Sequence, residues 1–115
     1  DDSRSRYYNQ IVSSDTTAVR DWKSSEKMLR VGSQYEFGIV VRHNSTGIAN
    51  SGSCIFLHIW GGDDDPTIGC TAMPRESILD LFRWFDADKR PILVQLTYEW
   101  YRQYKNAWAL PDVEF

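Results

Sequence analysis

Ser53-Cys54-Ile55-Phe56-Leu57-His58-Ile59-Trp60 is followed by Gly61-Gly62-Asp63-Asp64-Asp65-Pro66-Thr67-Ile68-Gly69, then Cys70-Thr71-Ala72-Met73, then Pro74-Arg75-Glu76-Ser77-Ile78-Leu79-Asp80-Leu81-Phe82-Arg83-Trp84-Phe85. The reading of this stretch decides the fold class. Residues 53–60 are apolar on both faces and predict an interior strand. Residues 61–69 carry the Gly, Asp and Pro of a loop. Ile78, Leu81, Phe82 and Phe85 recur at i, i+3, i+4, i+7 and mark one face of a helix over 74–85. Pro74 suits its first turn, and Glu76 suits the positive end of its dipole.

Working outward, Phe37-Gly38-Ile39-Val40-Val41-Arg42 is apolar and β-branched and reads as another strand. Residues 44–52 hold Asn44, Gly47, Asn50 and Gly52 and read as a loop. Pro91-Ile92-Leu93-Val94-Gln95-Leu96-Thr97 predicts a third strand. The tail, 98–115, spaces Trp100, Tyr101, Tyr104 and Trp108 as a short amphipathic helix lying against the sheet. Residues 1–30 form a polar, irregular arm. In it Tyr7, Tyr8, Ile11 and Val12 make a small apolar group, Trp22 packs onto the body, and 21–29 suit one helical turn. The expected class is mainly β with helices, α+β. The whole chain, 1–115, reads as a single domain with an arm (1–30), a core (37–97) and a C-terminal helix or tail (98–115).

Composition agrees with a compact protein. The chain has 115 residues, 42% hydrophobic and 25% charged, which excludes wholesale disorder and collagen-like or coiled-coil organisation. No apolar run nears the roughly 20 residues of a membrane span. Net charge is −3 and the 13 basic residues are scattered, which argues against a nucleic-acid groove. Sixteen aromatics suit an enzyme or a sugar- or peptide-binding module. The chain opens Asp1-Asp2-Ser3-Arg4, without Met or a signal peptide, and reads as a processed or trimmed piece.

Two cysteines are too few for a disulfide framework. Cys54 shares strand parity with His58 and reads as packing, or as the disulfide partner of a cysteine outside this chain. Cys70 is the reactive candidate. A thiol attacks as thiolate, so it needs a proton acceptor and an electropositive setting. Cys70 is expected just before a helix N-terminus, where free N–H groups favour an anion. Gly69 permits a tight turn, N–H groups around Cys70 can receive an oxyanion, and His58 can be folded back towards the thiol. Spacing alone leaves a second reading open, a buried cysteine with an unrelated histidine. A zinc site has no support, because neither a Cys-x-x-Cys nor a His-x3–5-His pair occurs. Asp63, Asp64 and Asp65 read as a solvated loop.

Gly52-Ser53-Cys54-Ile55-Phe56-Leu57-His58, and after the loop Thr67-Ile68-Gly69-Cys70-Thr71-Ala72-Met73, resemble the catalytic core of the L,D-transpeptidase (YkuD-like) domain family, over about 37–96. The resemblance implies a β-sandwich with a packed helix and a sheet short of its N-terminal strands. It implies Cys70 as nucleophile and His58 as general base. Thr67 falls at the motif's Ser/Thr position and Gly69 at its glycine, and N–H groups of Gly69, Cys70 and Thr71 form the oxyanion hole. His43, Arg42, Trp60 and Arg75 are the expected substrate-binding residues. Ile68 stands where the family carries a second histidine, Ala72 where it often carries arginine, and the spacer after His58 is short.

The implied activity is acyl transfer on peptidoglycan stem peptides, as a transpeptidase with an amine acceptor or an L,D-carboxypeptidase with water. It needs no metal or organic cofactor. The implied partners are the stem peptides, and the implied location is extracytoplasmic, in the periplasm or cell wall. The other expectation is a catalytically inactive wall- or partner-binding module on the same scaffold. The sequence carries no mark of an oligomeric state.

Overall fold

The computed structural model describes residues 1–113. Two compact units are present, Asp1–Phe85 and a second beginning at Asp86. The boundary falls inside the stretch 37–97 that the sequence reads as one core. Among the described residues no helix is long and apolar enough to cross a membrane.

The first unit is built on a three-stranded mixed sheet of order β1-β2-β3: β1 Gly38–Val40, β2 Phe56–Ile59 and β3 Thr71–Met73. Strand β1 runs antiparallel to β2, with Gly38 opposite His58 and Val40 opposite Phe56. Strand β3 runs parallel to β2, with Leu57 opposite Thr71, His58 opposite Ala72 and Ile59 opposite Met73. All four residues of β2 are buried, as the double-sided apolar pattern of an interior strand predicts.

Alternation along β2 gives the two faces of the sheet different work. Leu57 and Ile59 point to the face covered by α1, Arg75–Trp84, and form a core with Ile78. Phe37, Ile39, Val41, Met73 and Leu81 pack around them. Ile78 is fully buried. Phe82 is about half-exposed and packs edge-on against Phe37 at 5.9 Å. Each fully buried aliphatic side chain here contributes about 1.5–3 kcal/mol. Pro74 is the N-cap of α1 rather than a residue of its first turn, and its carbonyl accepts from the Ile78 N–H at 3.2 Å. Glu76 and Arg83 complement the helix dipole at its two ends.

The other face of the sheet carries Phe56 and His58, both buried. The 3-10 turn Gly32–Tyr35 reaches it through Tyr35, and another, Met28–Arg30, precedes that turn. The helical turn expected over 21–29 lies later, at these two turns. Residues 1–27 hold no helix or strand but are fastened by hydrogen bonds. Asp2 accepts from the N–H groups of Lys23 and Arg4, and Asp21 from the Ser5 hydroxyl and the Arg6 N–H. Tyr7 meets Trp22 edge-on at 5.6 Å, and Tyr8 is buried.

The second unit contains a 3-10 turn, Ala87–Lys89, and α2, Tyr98–Tyr104, capped by the Thr97 hydroxyl at the Trp100 N–H. Trp100, Tyr104 and Trp108 stack in series, as their helical spacing predicts. Residues 91–97 form no strand. Their apolar, partly β-branched composition suits one, but a strand forms only where a neighbouring strand completes its backbone hydrogen bonds. Glu114 and Phe115, the end of the expected tail, lie outside the described residues. The fold class is α+β.

Candidate functional site

Cys70 directly precedes β3, so the parallel register sets it beside Phe56, two residues before His58. Phe56, His58 and Ala72 therefore share the sheet face opposite α1, and Cys70, just outside β3, sets its sulfur against the main chain of Phe56 and Cys54. Two residues along one strand and one strand across put the Cys70 and His58 Cα atoms about 8 Å apart. The thiol is half-buried, and the Phe56 N–H donates to its sulfur at 3.4 Å. The thiol itself donates to the Cys54 carbonyl at 3.3 Å.

The expected position of Cys70 at the mouth of the helix is corrected. Strand β3 and Pro74 intervene before α1 begins at Arg75. Backbone dipole support for an anion at Cys70 therefore comes from the Phe56 N–H, not from the α1 N-terminus. Strand β3 was missed because three half-buried residues, Thr71, Ala72 and Met73, carry too short a pattern to separate from the helix that follows.

His58 is oriented by its neighbour in the chain. Its Nδ1 lies 2.8 Å from the Ile59 carbonyl oxygen. A carbonyl only accepts, so Nδ1 carries the proton and Nε2 of the neutral ring presents its lone pair. Ala72 sits directly across from His58 and takes little room beside the ring. His58 and Cys70 are not hydrogen-bonded to each other; Tyr35 packs on His58 and lies near enough to Cys70 to be influenced by it. The Tyr35 ring lies 4.8 Å from the His58 ring at a 31° tilt, and meets Phe56 edge-on at 6.0 Å. Its hydroxyl donates to Glu26 at 3.3 Å. Burial pushes the Tyr35 phenol far above its ordinary range, and the neighbouring Glu26 carboxylate and Cys70 add to the effect.

The turn feeding β3 holds the remaining motif residues. The Thr67 hydroxyl donates to the Cys70 carbonyl and closes the turn. Gly69 has φ +146°, a conformation side-chain-bearing residues avoid, and the space beside it is open. Thr71 lies opposite Leu57, so its side chain belongs to the α1 face. Only its main chain is on hand near Cys70.

The expected substrate-binding residues are not gathered at the thiol. The Arg75 guanidinium makes two hydrogen bonds to Glu36, at 3.0 and 3.1 Å, and lies over the Phe37 ring at 5.1 Å. Those hydrogen bonds hold the Glu36 carboxyl below the usual carboxylate range and raise Arg75. His43 fastens the 43–52 loop, with Nε2 2.8 Å from the Ser51 carbonyl and its ring against Gly52. Trp60 follows β2 at the end remote from Cys70 and donates to the Met73 carbonyl at 3.0 Å. Arg42, exposed beyond β1, makes no hydrogen bond or ion pair among the described residues.

Cys54 is also placed differently from expectation. Strand β2 begins at Phe56, and Cys54 has φ +57°, so strand parity does not extend to it. Its N–H donates to the Asn9 carboxamide oxygen at 3.1 Å, and its carbonyl accepts from the Cys70 thiol. Both cysteines are free. A small cleft lined by Asn9, Ile11, Val40, Cys54 and Phe56 opens beside Cys54. Among the described residues no cluster of three or more His, Cys, Asp or Glu side chains is placed to hold a metal ion.

Sequence reading missed Tyr35 and Glu26. Both sit in a polar, weakly patterned stretch, and only the 3-10 turn at Gly32–Tyr35 carries the phenol over His58. No family model, curated protein or solved structure matches the chain.

Proposed function

We propose that the protein is a cysteine acyl-transferase of peptidoglycan stem peptides, an L,D-transpeptidase or L,D-carboxypeptidase, in keeping with the motif resemblance around His58 and Cys70. The observation that carries the reading is the Cys70 sulfur held at the Phe56 N–H, two residues before His58 in the same strand, with Nδ1 of His58 tied to Ile59 and Nε2 left to take a proton. The finer fold in this proposal is the β-sandwich with a packed helix that the resemblance implies.

In the proposed reaction Nε2 of His58 takes the Cys70 proton. The thiolate attacks the carbonyl at the L-centre of the stem's diamino acid, with N–H groups of Gly69, Cys70 and Thr71 receiving the oxyanion. The terminal D-residue leaves with the proton from His58. An amine or water then releases the acyl group and restores the thiol. The location that follows is outside the cytoplasm, where this polymer lies.

The test is incubation with muropeptide tetrapeptides, with mass spectrometry for loss of terminal D-alanine or for new cross-links. Wild type is expected to produce one or the other and Cys70→Ala neither. Identical traces from the two would leave a wall- or partner-binding module as the reading of this scaffold.

A further inference from the structure

We propose that Tyr35 is the positioning residue of the Cys70–His58 pair: its ring holds the imidazole in place, and its hydroxyl turns from Glu26 to the sulfur when Cys70 ionises. This rests on the acyl-transfer reading above.

One aromatic ring packs on both β2 residues that serve the site. It faces His58 at 4.8 Å and meets the edge of Phe56, whose N–H donates to the Cys70 sulfur. With Nδ1 pinned to Ile59 and one ring face against Tyr35, His58 has little freedom to rotate.

The protons explain the hydroxyl. In the thiol state S–H points to the Cys54 carbonyl, and the phenolic O–H points to Glu26. Once the thiol proton moves to Nε2 of His58, the sulfur and the Cys54 carbonyl are two acceptors facing each other with no proton between them. Among the described residues the Phe56 N–H is then the donor the sulfur has kept. The Tyr35 ring packs on His58 and on Phe56, whose N–H meets the sulfur, so the phenol lies near Cys70, and burial together with Glu26 and Cys70 favours its protonated, donating form. Glu26 is exposed, and water replaces the phenol there. Tyr35 keeps its proton throughout. The proton removed from sulfur travels only through His58.

The experiment follows iodoacetamide alkylation of Cys70 against pH, read on its own peptide so that Cys54 does not interfere. Tyr35→Phe keeps the ring and removes the donor. Its alkylation midpoint is expected to rise by about one pH unit, a tenfold loss of thiolate at neutral pH. Glu26→Gln removes the charged competitor for the phenolic proton and is expected to lower the midpoint. An unchanged midpoint in a folded Tyr35→Phe overturns the proposal. Should Tyr35→Phe fail to fold, an unchanged midpoint in Glu26→Gln, altered at an exposed site, overturns it instead.

Turnover of muropeptides separates the two ideas. A Tyr35-dependent midpoint without turnover in wild type keeps this proposal and rejects the acyl-transfer reading. Turnover with a midpoint indifferent to Tyr35 does the reverse. Where wild type turns over, Tyr35→Phe is expected to lower kcat and leave KM unchanged.

Discussion

Nδ1 of His58 lies 2.8 Å from the carbonyl oxygen of Ile59, the next residue in the same buried strand. A histidine that anchors itself on its own backbone needs no carboxylate to set its tautomer. Imidazole nitrogen shifts measured by NMR are expected to report the Nδ1–H form for the neutral ring. His58→Gln removes the base of the proposed mechanism and is expected to slow the proposed acyl transfer by about 100- to 10,000-fold. An Nε2–H signal from His58 would contradict the orientation on which the proposed mechanism depends.

Gly69 tests the turn before the thiol. Its φ of +146° is one that a Cβ makes costly, although nothing lies within 4 Å of where that Cβ would sit. Gly69→Ala is therefore expected to lose about 1–3 kcal/mol through backbone strain alone. Urea unfolding measures it, and a variant as stable as wild type would show that the turn relaxes freely.

Ile78 tests the division of labour between the two faces of the sheet. It is fully buried against Leu57 and Ile59, on the side away from His58. Ile78→Ala is expected to cost about 2–5 kcal/mol, whereas activity per folded molecule stays near wild type. Phe82→Ala, on the same helix but about half-exposed, should cost less. An equal loss from both would mean that the core extends further over Phe82 than the packing indicates.

Acid should loosen the N-terminal arm first. The Lys23 and Arg4 N–H groups hold the Asp2 carboxyl below its ordinary 3.8. The Ser5 hydroxyl and Arg6 N–H do the same for Asp21. Both groups bind protons more weakly folded than unfolded. The stability they contribute is thus present above about pH 4 and is lost as pH falls further, through their lowered folded values. Asp2→Asn is expected to flatten the decline in thermal midpoint between pH 5 and pH 2, an interval of about three units around the carboxylate range. A decline as steep as in wild type would place the acid sensitivity elsewhere.

Much of the fold is legible in the residues themselves. The buried strand at Phe56–Ile59 and the helix at Arg75–Trp84 follow from apolar periodicity, which depends only on which side chains must leave water. The helix at Tyr98–Tyr104 is legible in the same way. Strand β3 and residues 91–97 mislead for one reason. A short extended segment is stabilised by its neighbour's hydrogen bonds, and the neighbour is not written in the segment.

The sequence alone determined which groups are on hand for the proposed chemistry, because a thiol and an imidazole have no substitutes among ordinary side chains. It also determined the alternation that sends Leu57 and Ile59 to one face and Phe56 and His58 to the other, because side chains in a strand must alternate. Only the tertiary structure decided how those groups are held. The parallel pairing of β2 with β3 brings Cys70 beside Phe56, and a distant turn lays Tyr35 on His58. It also engages Arg75 with Glu36 rather than leaving it open to a ligand. These contacts join residues far apart in the chain, and such contacts are chosen by the packing of the whole unit, not by any local pattern.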